Sequence, residues 1–189
     1  MEITADKTAM TLILIPLFTL LVWAVYAYNR LIRDRNRVKT AWSDIDVQLR
    51  RRHDLVPNLV STVKAYAAYE KSLLSTVTEL RERARTTEEV SGKGELEGEL
   101  ARGVQRLIAL AEAYPDLKAN QSFLKLQSQL AEVEDHLQYA RRYYNGAVRN
   151  INTRIESFPD LLIARLFRFR QAEFFQAGED SRAAIEVKT

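Results

Sequence analysis

Apolar and polar positions divide the chain at residue 28. From Ala9 to Tyr28, AMTLILIPLFTLLVWAVYAY, twenty residues pass without a charge. At about 1.5 Å per residue, a helix of that length matches the roughly 30 Å hydrocarbon core of a bilayer. The pattern predicts a transmembrane helix over 9–28 behind a short leader, 1–8. A buried helix of a soluble protein would carry a polar face, which this stretch lacks. A cleaved signal peptide would have a basic start and a small-x-small end. Here the leader holds Glu2, Asp6 and Lys7, and the far end is bulky Trp23, Tyr26 and Tyr28. Those three suit the interfacial aromatic belt, and Pro16 is tolerable within a span.

Beyond the span the period changes. Apolar residues fall at 31, 38, 42, 45, 49, 56, 59, 63, 66, 73, 77, 80 and 84, the seven-residue seam of helices packing on helices. Arg52 and Glu70 occupy seam positions and are expected to snorkel out of the bundle. Pro57 either kinks one helix, since the seam keeps its phase, or starts a second helix capped by Asp54. Residues 86–95, TTEEVSGKGE, read as a loop. The seam resumes through Leu96, Leu100, Val104, Leu107, Ala111 and Tyr114, and Pro115 ends it. Asn120 restarts a helix whose stripe runs from Phe123 to Phe158 before Pro159 stops it. The expected fold is all-α: the transmembrane helix, then an up-and-down, four-helix, coiled-coil-like bundle over 29–158. Its helices are placed near 30–53, 57–86, 95–114 and 120–158; the competing layout is one long kinked hairpin. Either returns Pro159 to the membrane end.

After Pro159 comes an amphipathic segment, 159–177, then a polar tail, 178–189. The segment places Leu161, Leu162, Ile163, Leu166, Phe167, Phe169, Phe174 and Phe175 among Arg165, Arg168 and Arg170. A basic aromatic stretch of this kind can lie in the headgroup region of a membrane, or can cap the bundle's own core; both readings stand.

Charge sets the orientation. Arg30, Arg33, Arg35, Arg37 and Lys39 follow the span against Asp34 alone, so the positive-inside rule puts the C-terminal domain in the cytoplasm. The formal net charge is +3, with its excess near the bilayer, where anionic headgroups are the nearest partner. The candidate membrane-interface residues are therefore Trp23, Tyr26, Tyr28, Arg30, Arg33, Arg35, Arg37, Leu162, Arg165, Leu166, Phe167, Arg168, Phe169, Arg170, Phe174 and Phe175.

Candidate chemistry is sparse. With no cysteine, disulfides, thiolate catalysis and Cys-ligated metal sites are excluded. His53 and His136 lie in no metal-binding spacing, and no serine sits in a nucleophile elbow. GKG lacks the P-loop spacing and a preceding strand. Tyr139, Tyr143 and Tyr144 beside Arg141 and Arg142 could stack bases, but at helical spacing they read as core and rim. No catalytic residue, cofactor, metal, nucleic acid or small-molecule substrate is expected.

Three stretches resemble a known family: YNRLIRDRNRVKTAWSDIDVQLRRRHDLVPNLVSTVKAYAAYEK at 28–71, LIALAEAYPDLKANQSFLKLQSQLAEVEDHLQYARRYYNGAVRNINTRIESFPDLLIARLF at 107–167, and AEFFQA at 172–177. In that order they resemble the LemA family of bacterial membrane proteins. The resemblance implies one N-terminal span, an up-and-down helical bundle, and neither an enzymatic activity nor a cofactor. The apolar-basic FRFRQ ending at Gln171 departs from the family, which tends to have glycine or proline nearby. The expected function is a non-enzymatic scaffold, single-pass in the bacterial inner membrane, which self-associates as a homo-oligomer and binds or organises membrane. The alternative is an adaptor presenting its bundle to another membrane protein, such as a protease or a sensor.

Overall fold

The computed structural model describes residues 2–176, with side chains from Leu14 onward. The polar tail expected at 178–189 lies outside the described residues. Every regular element described is helical. In order these are α1 (Glu2–Tyr66), α2 (Lys71–Thr86), α3 (Val90–Leu110), a 3₁₀ turn (Ala111–Ala113), α4 (Pro115–Lys118), α5 (Gln121–Glu156) and α6 (Asp160–Leu166). After α6 comes a turn at 167–168 and then irregular chain to Gln176, the strap.

The boundaries correct the expected layout in two places. Pro57 lies inside α1, and the break falls at 67–70; Asp54 caps nothing. The His53 carbonyl, four residues before Pro57, lacks the usual helical donor, and Arg81 Nε donates to it instead at 2.7 Å. The expected loop 86–95 is a short turn, because α3 already begins at Val90 and carries Gly92 and Gly94 within it. Gly94 is there because a Cβ would lie 2.1 Å from the Gln176 carbonyl oxygen, so the strap needs the notch. By contrast, Asn120 starts α5 as read: its Oδ1 accepts from the Phe123 N–H at 3.0 Å. Pro115 stands in the first turn of α4, where its missing N–H does no harm.

The described residues form two compact units, 2–40 with 146–172, and 41–145 with 173–176. The second unit is the bundle. Its core draws Val56, Leu59 and Val63 from α1, Leu74 and Val77 from α2, Leu100, Val104 and Leu107 from α3, Leu117 from α4, and Phe123 and Leu130 from α5. Apart from Leu117 and Leu74, which takes the place expected of Leu73, these are the seam residues, and each aliphatic side chain so buried contributes about 1.5–3 kcal/mol before the entropy of ordering it.

The first unit packs Ala27 and Leu31 of α1 against Ile151 and Ile155 of α5 and Ile163 and Ala164 of α6. Residues Leu14 to Tyr26 of α1 leave most of their apolar side chains exposed, and α1 is the one described helix with a window long and apolar enough to cross a membrane. α6 ends in a Schellman turn. Phe169 N–H donates to the Ala164 carbonyl at 2.9 Å and Arg168 N–H to the Arg165 carbonyl at 3.2 Å. Arg168 takes the left-handed conformation this turn needs, φ 55°, where glycine is usual.

Candidate functional site

The expected interface residues divide between the two units. In the first, Tyr28 meets Phe167 in a tilted ring contact with centroids 4.7 Å apart and meets Phe169 edge-on at 6.0 Å. The Arg35 guanidinium stands 5.6 Å over the Phe169 ring. Trp23 is half-buried, Tyr26 is exposed, and Arg30, Arg33, Arg35, Arg37, Arg165, Arg168 and Arg170 all face solvent. Leu162, Leu166 and Phe167 are exposed as well.

Phe174 and Phe175 belong to the bundle unit. Phe174 is only partly exposed, and Phe175 is 1% exposed, so Phe175 is a core residue and cannot meet lipid in this structure. Its ring lies 5.6 Å from Trp42 and 5.3 Å below the Arg141 guanidinium, and Trp42 also meets Tyr144 at 5.4 Å. For this residue the capping reading holds, because the strap folds its side chain back into the bundle.

Asparagines on α5 hold the strap. Asn145 Nδ2 donates to the Phe175 carbonyl at 3.1 Å, and the Phe175 N–H donates to Asn145 Oδ1 at 3.0 Å. Asn152 repeats the clamp on Ala172 in the first unit, at 2.9 and 2.8 Å. A primary amide can donate and accept at once, so it pairs with both backbone groups of one residue as a neighbouring strand would. Tyr144 Oη adds a bond to the Glu173 carbonyl at 2.8 Å, and burial pushes its phenol above the ordinary tyrosine value, with the Glu173 charge adding to the rise.

A buried charge cluster sits within the bundle unit. Arg52, expected to snorkel, is 3% exposed, because two acids reach it instead. Its guanidinium pairs with Glu97 Oε2 at 3.3 Å and makes a close ion pair with Glu134. Glu97, 0% exposed, accepts from His53 Nε2 on its other oxygen at 2.6 Å, an arrangement that calls for the ring proton on Nε2. Burial pulls the Arg52 guanidinium below the ordinary arginine value; Glu97 opposes this, and Arg141 reinforces it. Both oxygens of Glu97 are thus committed to α1, and the arrangement is a clasp between α1, α3 and α5. Beside it opens a shallow cleft of about 300 Å³ between α3 and α5, where Arg52, Glu134 and Asp135 meet Val104, Ile108 and Leu130. Among the described residues no three His, Asp or Glu side chains converge as a metal site.

Asp34 of the first unit is also buried. Arg154 Nε stands 2.7 Å from Asp34 Oδ2 without the angle of a hydrogen bond, and Arg154 also reaches Asp160 at 3.6 Å. The sequence reading missed Glu97, Glu134, Asn145, Asn152 and Asp34. One signal for the first two was present: an arginine on a seam implies acids on the facing helices, since an unpaired buried charge is too costly to keep.

The sequence has recognisable relatives. Protein LemA of Metamycoplasma hominis is 26% identical over 160 residues, covering 84% of this chain and 73% of its own length. Magnetosome protein MamQ 2 of Paramagnetospirillum magneticum is 26% identical over 175 residues, and magnetosome protein MamQ of Magnetospirillum gryphiswaldense is 21% identical over 174. The alignments span 64% of each MamQ protein and 79% and 78% of this chain. The sequence model of the LemA family matches residues 41–188, which takes in the clasp, the asparagine clamps and the strap, and on that match the chain belongs to the LemA family.

Proposed function

We propose that this protein is a membrane-anchored, non-enzymatic helical scaffold that self-associates at the cytoplasmic face. The observation that carries the reading is the exposed apolar stretch of α1. Leu14, Ile15, Leu17, Phe18, Leu20 and Leu21 each leave half or more of their surface uncovered, which in water would be a large unfavourable exposure and in lipid is none. The exposed arginines that follow at 30, 33, 35 and 37 support the cytoplasmic side.

Self-association is supported by a second exposed patch, on the bundle unit. Val47, Tyr139 and Tyr143 border a shallow groove that also holds Asp44 and His136, and Gln48 Oε1 is buried there without a hydrogen-bond partner. The clasp supports a non-catalytic role, since Glu97 and His53 are spent on holding helices together.

The same patch favours the second reading, an adaptor whose groove receives another membrane protein. Mass measurement of the full chain in polymer-extracted native membrane particles separates them. Homogeneous particles of several copies are expected. A single copy with a stoichiometric second protein would establish the adaptor, and a single copy alone would end both. A cytoplasm-only reporter enzyme fused after Thr189 should be active; activity of a periplasm-only reporter instead would reverse the orientation.

A further inference from the structure

We propose that Phe158, Leu162, Leu166 and Phe167 form a second lipid contact, lying in the headgroup region and taking anionic phospholipid. The inference rests on the anchoring of α1 and names a surface that anchoring alone does not require.

The residues are all in the first unit, and they are conspicuously uncovered: Phe158 is 80% exposed, Leu162 55%, Leu166 72% and Phe167 54%. Leu162 and Leu166 are four residues apart and share a face of α6, and their neighbours Ile163 and Ala164 are buried on the other side. α6 therefore has an inner apolar face that its own unit covers and an outer one that nothing described covers. A terminal cap needs only the first.

Depth follows from Tyr28. It is the last residue of the charge-free stretch, so in an inserted α1 it stands where hydrocarbon gives way to headgroups. Phe167 packs against that ring, tilted, at 4.7 Å between centroids, and the Schellman turn holds Phe167 and Phe169 in place beside it. The outer face of α6 is thereby fixed at the level of the interface.

Charge selects the lipid. Arg30, Arg33, Arg165, Arg168 and Arg170 are exposed in this unit. Of the acids that could neutralise them, Asp34 pairs with Arg154 and Arg37 and Asp160 pairs with Arg154, while Glu156, exposed and hydrogen-bonded only by the neutral Gln171 amide, offsets one of the five. What remains is exposed apolar surface in a unit with an excess of exposed arginine, which complements phosphate above acyl chains.

The cysteine-free chain allows single labels in the full-length protein. Leu162→Cys and Leu166→Cys would carry an environment-sensitive fluorophore, with Leu17→Cys as the span reference and Leu124→Cys as a solvent reference in the bundle. Each is reconstituted in phosphatidylcholine vesicles with and without phosphatidylglycerol, and an unchanged helical signal confirms folding. Quenching by spin-labelled lipid is expected at 17, 162 and 166, stronger at 162 and 166 when phosphatidylglycerol is present, while iodide reaches only 124. Replacing Arg165 or Arg168 by Gln should move the label toward water by roughly fivefold per charge. Iodide access at 162 and 166 with lipid access at 17 overturns the contact and leaves the anchor standing. Iodide access at 17 as well overturns both. Protection of 162 and 166 from both quenchers means a protein covers the face, and equal lipid quenching in both vesicles removes the anionic headgroup as the recognised chemistry.

Discussion

Arg81 on α2 supplies the hydrogen bond that Pro57 withholds from His53 on α1: its Nε stands 2.7 Å from the His53 carbonyl oxygen. A helix-interior proline leaves the carbonyl four residues back without its donor, and here that carbonyl belongs to a residue only 5% exposed. The helix therefore continues through the proline because another helix completes it. Arg81→Ala should cost about 1–3 kcal/mol, the range for leaving such a group unsatisfied. In a Pro57→Ala background residue 57 regains its N–H, and the same substitution should cost less. Chemical denaturation of the four proteins in the cycle measures the coupling; equal costs in both backgrounds would show that Arg81 acts through something else.

The clasp should be costly to break and cheap to replace. Glu97→Leu alone leaves His53 buried without its partner and Arg52 with Glu134 alone, and is expected to destabilise the bundle by about 3–5 kcal/mol. Arg52→Leu with Glu97→Leu removes both charges and should recover much of that loss. A double variant no more stable than the single one would refute the pairing.

Two glycines should respond to alanine with opposite signs. At Gly146 a Cβ meets nothing within 4 Å, so Gly146→Ala should stabilise α5 by about 0.5–1 kcal/mol through helix propensity. At Gly94 the same Cβ meets the strap backbone at 2.1 Å, so Gly94→Ala must displace the strap. Because Phe175 packs against Trp42, the displacement should shift tryptophan emission and open the strap to protease. Unchanged emission and protection would mean the strap yields without leaving.

Replacing the residue in the Schellman turn should also stabilise. Arg168 holds φ 55°, and Arg168→Gly removes about 1 kcal/mol of left-handed strain. Thermal denaturation in matched lipid reads the change. A loss of stability would show that the arginine side chain contributes more than its backbone costs.

Alkali should loosen the strap through Tyr144. Its folded value is raised above the unfolded one, so in that interval the folded state binds more protons than the unfolded state. The stability Tyr144 contributes is present below the ordinary tyrosine value and is lost as pH rises through the folded one. The stability gap between wild type and Tyr144→Phe, measured by denaturation near neutrality and again in alkali, should narrow as pH rises; a constant gap would exclude this titration.

Much of the fold was legible because it rests on periodic burial. Val56, Leu59, Val63, Val77, Leu100, Val104, Leu107 and Phe123 were placed on the seam by spacing alone, and all are core residues. Asn120 was legible because capping is local. Pro57 was left open between kink and boundary, and Arg52 and Gly94 were misread, for one shared reason: each is made tolerable by a residue far along the chain, Arg81, Glu97 and Gln176 respectively. A local rule reads a proline as a boundary, an arginine as surface and a glycine as a loop. Phe175 was ambiguous between lipid and core for the same reason, since the Asn145 clamp that decides it lies thirty residues earlier.

The clasp also bears on alignment. A seam of leucines, valines and isoleucines at sevens looks nearly the same after one helix slides by a heptad, about 10.5 Å. Arg52 removes that degeneracy. Slide α3 by seven and Val90 or Val104 stands where Glu97 was; slide α5 and Gln127 or Arg141 replaces Glu134. Each misaligned bundle takes one of its two acids from the buried guanidinium, and one of them sets a second guanidinium against it. The charges work like an indexing pin, contributing little to how tightly the helices hold and much to where they stop. The Arg52→Leu, Glu97→Leu protein should then show doubled amide resonances from slipped bundles, and a single sharp set would mean the loops alone fix the alignment.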